Sequence, residues 1–108
     1  MILIFGGAYQ GKLGYALERF EKERITEGFD KWVLELVESG ADVENEVLRF
    51  IEIKPDAVVI CSDISCGVVP VDPVMRKWRE AVGKALALLS KNSDEVIRLF
   101  CGIPARLK

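Results

Sequence analysis

The chain starts with MILIF, five apolar residues in a row, and runs straight into Gly6-Gly7. A strand with one wet face alternates apolar and polar side chains. An unbroken run bounded by glycine is the pattern of a strand covered on both faces. AVVIC at 57–61 repeats the pattern, and EVIRLFC at 95–101 reads as a third strand. A short stretch at RITEGF is a weaker strand candidate. Strands buried on both faces require helices above and below them, so the chain predicts an α/β fold with a mostly parallel sheet.

The intervening segments supply those helices. From about Gly11 to Glu23, Leu13, Ala16, Leu17 and Phe20 recur at helical spacing, with Glu18, Arg19, Glu21 and Lys22 opposite. On that spacing Leu13 is expected to be packed at the start of an apolar stripe. Asp30 reads as the N-cap of a helix that Gly40 stops near Ser39. Residues 43–53 place Val43, Val47, Phe50 and Ile51 on one stripe, broken by Lys54-Pro55-Asp56. Asp72-Pro73 opens the longest helix, to about Ser90, with a stripe of Val74, Trp78, Val82, Ala85 and Leu89. Gly102-Ile103-Pro104 turns the chain into a short tail. No linker or repeat divides the sequence, so residues 1–108 are read as one domain.

Composition narrows the function. Fifteen basic residues oppose seventeen acidic ones, so no net field draws the chain to nucleic acid or an anionic membrane. No apolar run is long enough to span a bilayer. Three cysteines without a C-x-x-C pair read as reduced thiols of a cytoplasmic protein. The chain has no histidine, which removes Cys/His zinc sites and Ser-His or Cys-His catalytic pairs.

In parallel sheets ligands sit beyond the carboxyl ends of the strands. Three loops converge there: 6–12, about 27–30, and 62–70. The first carries the chemistry, because Gly6-x-x-x-x-Gly11-Lys12 matches a phosphate-binding loop up to its last position. Glycines let successive N–H groups point at phosphate oxygens, the following helix adds its positive end, and Lys12 reaches the outer phosphates. By chance the pattern turns up about 0.03 times per hundred residues. The expected nucleotide contacts are Gly6, Gly7, Ala8, Tyr9, Gln10, Gly11, Lys12 and Leu13, with GTP or ATP as ligand. Leu13 stands where a hydroxyl normally ligates Mg²⁺, so magnesium must be held weakly, by water or by acids elsewhere. Asp63, just past AVVIC, is the candidate acid for magnesium or for a substrate hydroxyl, and is paired with Lys12 as catalytic. Cys66 reads as part of a glycine turn, and Arg76, Lys77, Arg79 and Lys84 as a solvated helix face.

GGAYQGK and AVVICSDISCGVVPVDPVMRKWREAVGKALALLSKNSDEVIRLFCGI resemble the adenosylcobinamide kinase/adenosylcobinamide-phosphate guanylyltransferase family of cobalamin biosynthesis. The resemblance covers about the first 25 residues and nearly all of 44–108. The string Asp63-Ile64-Ser65-Cys66-Gly67-Val68-Val69-Pro70 is its most specific part, with Ser65 where a glycine is usual. It implies a P-loop NTPase-like three-layer sandwich, reduced in size, and phosphoryl transfer from GTP or ATP to a corrinoid hydroxyl. Adenosylcobinamide or another corrinoid is the implied partner. Members are longer, and the middle, with its Walker B strand and acid, is shortened here; Glu27 is the candidate replacement as a metal ligand. Their guanylyl transfer runs through a histidine that this chain lacks. Loss of that histidine and of the loop hydroxyl leaves a second reading, a non-catalytic nucleotide- or corrinoid-binding module or structural subunit. The shortened sheet leaves open edges, so a homo-oligomer is expected.

Overall fold

The computed structural model describes residues 1–7, 11–64 and 71–108. Among these residues, five strands form one sheet in the order β2-β3-β1-β4-β5. They are β1 (Ile2–Gly6), β2 (Ile25–Thr26), β3 (Val58–Ser62), β4 (Glu95–Phe100) and β5 (Ile103–Arg106). β1 lies parallel between β3 and β4, with Leu3 opposite Val59 and Val96, and Ile4 opposite Ile60 and Ile97. β2 pairs in parallel with β3, and β5 runs antiparallel to β4.

The two unbroken apolar runs are the middle strand, β1, and its neighbour β3, and each feeds two cores. Leu3, Val59, Cys61 and Val96 face one side, where they meet Phe29, Val33, Val47, Val82, Ala85 and Leu89. Those residues come from α2 (Phe29–Ser39), α3 (Val43–Ile53) and α4 (Pro73–Asn92). Ile4, Val58, Ile60, Ile97 and Leu99 face the other side, covered by Ala16, Tyr15 and Phe20 of and after α1 (Lys12–Arg19). The result is the expected three-layer arrangement with a mostly parallel sheet. Phe29, Trp32 and Phe50 make an aromatic cluster across α2 and α3, with ring centroids 5.0, 5.3 and 5.9 Å apart. The Phe29–Trp32 and Phe29–Phe50 contacts are edge-on, the geometry ring quadrupoles favour.

Local signals at two helices work as read: Gly40 in left-handed conformation stops α2, and Asp72 caps α4 by accepting from Val74 N at 2.8 Å, with Pro73 in the first turn. α3 has a cap that the sequence reading did not name, Asp42, which accepts from Asn45 N at 3.3 Å. Three boundaries differ. α1 stops at Arg19 rather than about Glu23, because Phe20 adopts an extended backbone and packs with Ile25 under the sheet. In α4, Val74 is exposed and Trp78 half-buried, so its buried stripe is Val82, Ala85 and Leu89. The expected tail after residue 101 is instead a hairpin.

Cys101 and Gly102 both have positive φ, 52° and 74°, the signature of a two-residue turn matched to strand twist. Pro104 hid this strand from the sequence. Leu107 N donates to Val96 O, so 103, 105 and 107 face β4 while Pro104 and Arg106 face outward. A residue without an N–H costs nothing on that outer edge. The sheet's two edges are thus a two-residue strand and a proline-bearing strand, both poor templates for further pairing.

Phe29 is almost fully buried at the centre of the larger core. Phe29→Ala is expected to cost about 3–5 kcal/mol of stability, read as a lowered urea midpoint followed by tryptophan fluorescence.

Candidate functional site

The sheet order brings the carboxyl ends of β2, β3 and β1 side by side, and three loops leave from them. β1 ends at Gly6, whose carbonyl accepts Asp63 N at 2.8 Å, fastening the exits of β1 and β3 together. A methyl group on Gly6 would sit 2.4 Å from Leu99 O of β4. Glycine is required there by the neighbouring strand, whatever the loop binds. Gly11 has left-handed backbone, φ 79°, and opens α1 by accepting Tyr15 N at 3.0 Å. Lys12 follows as the first residue of α1 and is only 8% exposed. Its Nζ donates to Gly7 O at 2.6 Å, so the ammonium folds back across the mouth of the loop. The expected contacts at Ala8, Tyr9 and Gln10 lie outside the described residues, as does the 65–70 part of the loop after β3.

A cleft of about 270 Å³ opens beside this loop. Gly11, Lys12 and Leu13 line one wall; Glu27, Gly28, Asp30 and Lys31 line the other; Ile60 and Ser62 form the floor. Leu13 is therefore not packed in the core as its spacing suggested: it is 36% exposed and borders the cleft. The reason is the phase of the helix. Lys12 turns inward, and Ala16, one turn on, is the buried residue behind it, so Leu13 and Leu17 rotate out of the core.

Asp30 also departs from its expected role. The N-cap of α2 is Gly28 in left-handed conformation, φ 72°, and Asp30 lies inside the first turn. It is 8% exposed, its Oδ1 accepts Ser62 N at 3.2 Å, and its carbonyl accepts the Trp78 indole N–H at 2.7 Å. Glu27 is exposed at the rim. Asp63 is half-buried and does not line the cleft; its neighbour Ser62 does. The acids that share the cleft with Lys12 are thus Glu27 and Asp30. Among the described residues no three acids or cysteines cluster closely enough to make a metal cage. Magnesium does not demand one, since it keeps several waters and uses one or two carboxylates with substrate phosphates.

Cys61 reports on the charges gathered at the end of β3. Burial pushes its thiol far above the ordinary range, and the carboxylates of Asp30 and Asp63 push the same way, while Lys12 opposes them. A thiol so placed is a packing group and no nucleophile. A larger cavity, about 420 Å³, lies between the α2–α3 corner and α4, lined by Val37, Val47, Lys77, Lys84 and Leu88. It is remote from the strand ends and brings no residue of the loop with it.

The segment from residue 27 to 107 matches the family described as cobinamide kinase / cobinamide phosphate guanyltransferase. The chain belongs to that family. This membership carries a P-loop NTPase-like fold, which the sheet order and the strand–loop–helix at β1 embody. It also carries nucleotide binding and kinase or transferase chemistry in cobalamin biosynthesis as the general function. Comparison with curated proteins gives no match. The family match takes in Glu27, Asp30 and the loop after β3; the 6–13 loop precedes it. No helix among the described residues is long and apolar enough to cross a membrane.

Asp30 is the site residue that sequence reading misplaced. Its signal was Gly28, a glycine two positions earlier that could itself start the helix and free the aspartate from capping. Two outcomes are expected from this geometry. Gly6→Ala overpacks the β1–β4 contact and should cost about 1–3 kcal/mol in a denaturant titration. In the native protein, Cys61 should resist iodoacetamide at pH 8 while Cys101, which is exposed, is alkylated; peptide mass spectrometry separates the two.

Proposed function

We propose that the chain binds a nucleoside triphosphate, GTP or ATP, in the 6–13 loop and passes its terminal phosphoryl group to a hydroxyl of adenosylcobinamide or a related corrinoid. The observation that carries this reading is Lys12, whose ammonium is buried and held against Gly7 O across the loop. That position places a point charge at the N-terminal end of α1, where the helix dipole also favours an anion. A phosphate entering the loop replaces a single carbonyl contact with charge-assisted ones. Gly6, Gly7 and Gly11 let the backbone approach the phosphates, and Ala8, Tyr9 and Gln10 complete the loop.

Phosphoryl transfer is mostly a matter of positioning and charge. The family's chemistry uses Mg²⁺, which when bound neutralises charge building on the phosphates. Glu27 at the rim and Asp63 beside the floor are the carboxylates suited to hold it through water, because Leu13 offers no oxygen. Lys12 draws the transferring group toward the α1 wall, and Leu13 and Ile60 exclude water from it. The family's guanylyl transfer through histidine has no residue to run on in this chain. Self-association, where it occurs, must use surfaces other than the blunted sheet edges.

Leu13 at the cleft favours a second reading, a module that holds nucleotide or corrinoid without turnover. Both are tested together. GTP at a hundred times its dissociation constant should add about 2.7 kcal/mol of stability, seen as a raised melting temperature. Lys12→Ala should abolish that shift. Incubation with GTP or ATP, magnesium and adenosylcobinamide should then yield phosphorylated corrinoid; a shift without product leaves the binding module, and no shift with any nucleotide overturns both.

A further inference from the structure

Among the described residues, Asp30 has a structural task that accounts for one of its two carboxylate oxygens. β2 pairs with Val58 and Val59, so among the described residues β3 from Ile60 onward has no strand on that side. The Ser62 N–H would be orphaned there, and Asp30 Oδ1 accepts it at 3.2 Å. A neutral amide oxygen would serve that N–H equally well. Yet the position carries a charged group, nine-tenths buried, on the wall of the cleft opposite Lys12. Lys12 and Asp30 do not form an ion pair with one another; the lysine is turned to Gly7 O instead. The Trp78 indole, bonded to Asp30 O at 2.7 Å, and the Ser62 bond fix the aspartate at both ends.

We propose that Asp30 is the carboxylate that receives the acceptor hydroxyl in the phosphoryl transfer described above. The inference rests on that reading. In the step, the hydroxyl oxygen bonds to the γ-phosphorus and the bond from phosphorus to the β–γ bridging oxygen breaks. That electron pair leaves with the nucleoside diphosphate. The hydroxyl proton passes to Asp30 and then to solvent. Lys12 and Asp30 thereby divide the cleft, the lysine side taking the phosphates and the aspartate side taking the alcohol. Orientation of the carboxylate by Ser62 N–H presents its other oxygen at a fixed angle, which general-base catalysis requires.

Asp30→Asn separates the two tasks, because its amide oxygen still accepts Ser62 N–H while the base is gone. The expected result is an unchanged urea midpoint, GTP binding at least as tight as wild type once a negative charge leaves the cleft, and kcat for adenosylcobinamide phosphorylation lowered roughly 100-fold or more. Tighter nucleotide binding with lost turnover is a split that a structural role does not produce. As a second variant, Asp30→Ala should regain part of its turnover in added formate. Wild-type kcat in Asp30→Asn overturns the proposal while leaving the proposed kinase reading intact. So does a loss of kcat that appears in Glu27→Gln and not in Asp30→Asn. Failure of both Asp30 variants to fold, or a folded Asp30→Ala that formate does not rescue, also overturns it. Wild-type protein that binds GTP yet makes no phosphorylated product removes the reading and the inference together.

Discussion

The approach of Gly6 to Leu99 O decides where everything else can sit. β1 is paired on both edges and covered on both faces, so its carboxyl end has no freedom to shift. At that end the β4 backbone leaves no space for a side chain, and Asp63 N takes the Gly6 carbonyl. The loop that follows must rise from one fixed point, between the exits of β3 and β4. That rigid exit, rather than the glycines alone, fixes the point from which the loop departs, and binding energy is lost wherever a site must first be ordered.

Charge is the second constraint. Lys12 and Asp30 are both nearly buried, and a buried charge without an ion-pair partner is costly. The usual remedy is to pair them, and the two are close enough in the fold to act on the same thiol, Cys61. They remain apart, each held by backbone groups: Gly7 O for one, Ser62 N for the other. Backbone contacts fix the two side chains without neutralising them, which leaves an attractive place for a ligand that is anionic at one end and hydroxylic at the other. Direct pairing would stabilise the empty cleft and weaken anything that entered it.

Much of this was legible in the sequence, because unbroken apolar runs admit few architectures. MILIF and AVVIC gave two interior strands, and Asp72-Pro73 started its helix at the position found. What failed was phase. Helical spacing groups Leu13 with Ala16 and Leu17, but it cannot say that Lys12 will turn inward and rotate the leucines out. Capping preference names Asp30 as an N-cap, but Gly28 in left-handed conformation does that work and leaves the aspartate to a partner 32 residues away. Pro104 reads as a strand breaker unless its outward register is known, and register comes from the Cys101-Gly102 turn and the pairing with β4. Each miss is a tertiary contact overriding a local preference that is worth about 1 kcal/mol or less.

The shortness of β2 and the character of the site are the same fact viewed twice. A longer β2 would pair with β3 along its whole length and satisfy Ser62 N–H with a backbone carbonyl. With β2 only two residues long, the upper edge of β3 is open, and α2 enters close enough for a side chain to take over the ladder position. Asp30 is that side chain. A β2 this short therefore leaves a carboxylate in the place of a backbone carbonyl on the cleft wall across from Lys12. A neutral, featureless strand edge becomes a charged one. In a chain with no histidine and no hydroxyl at position 13, that placement adds an anchored, nearly buried carboxylate to a cleft whose other acid, Glu27, is exposed at the rim.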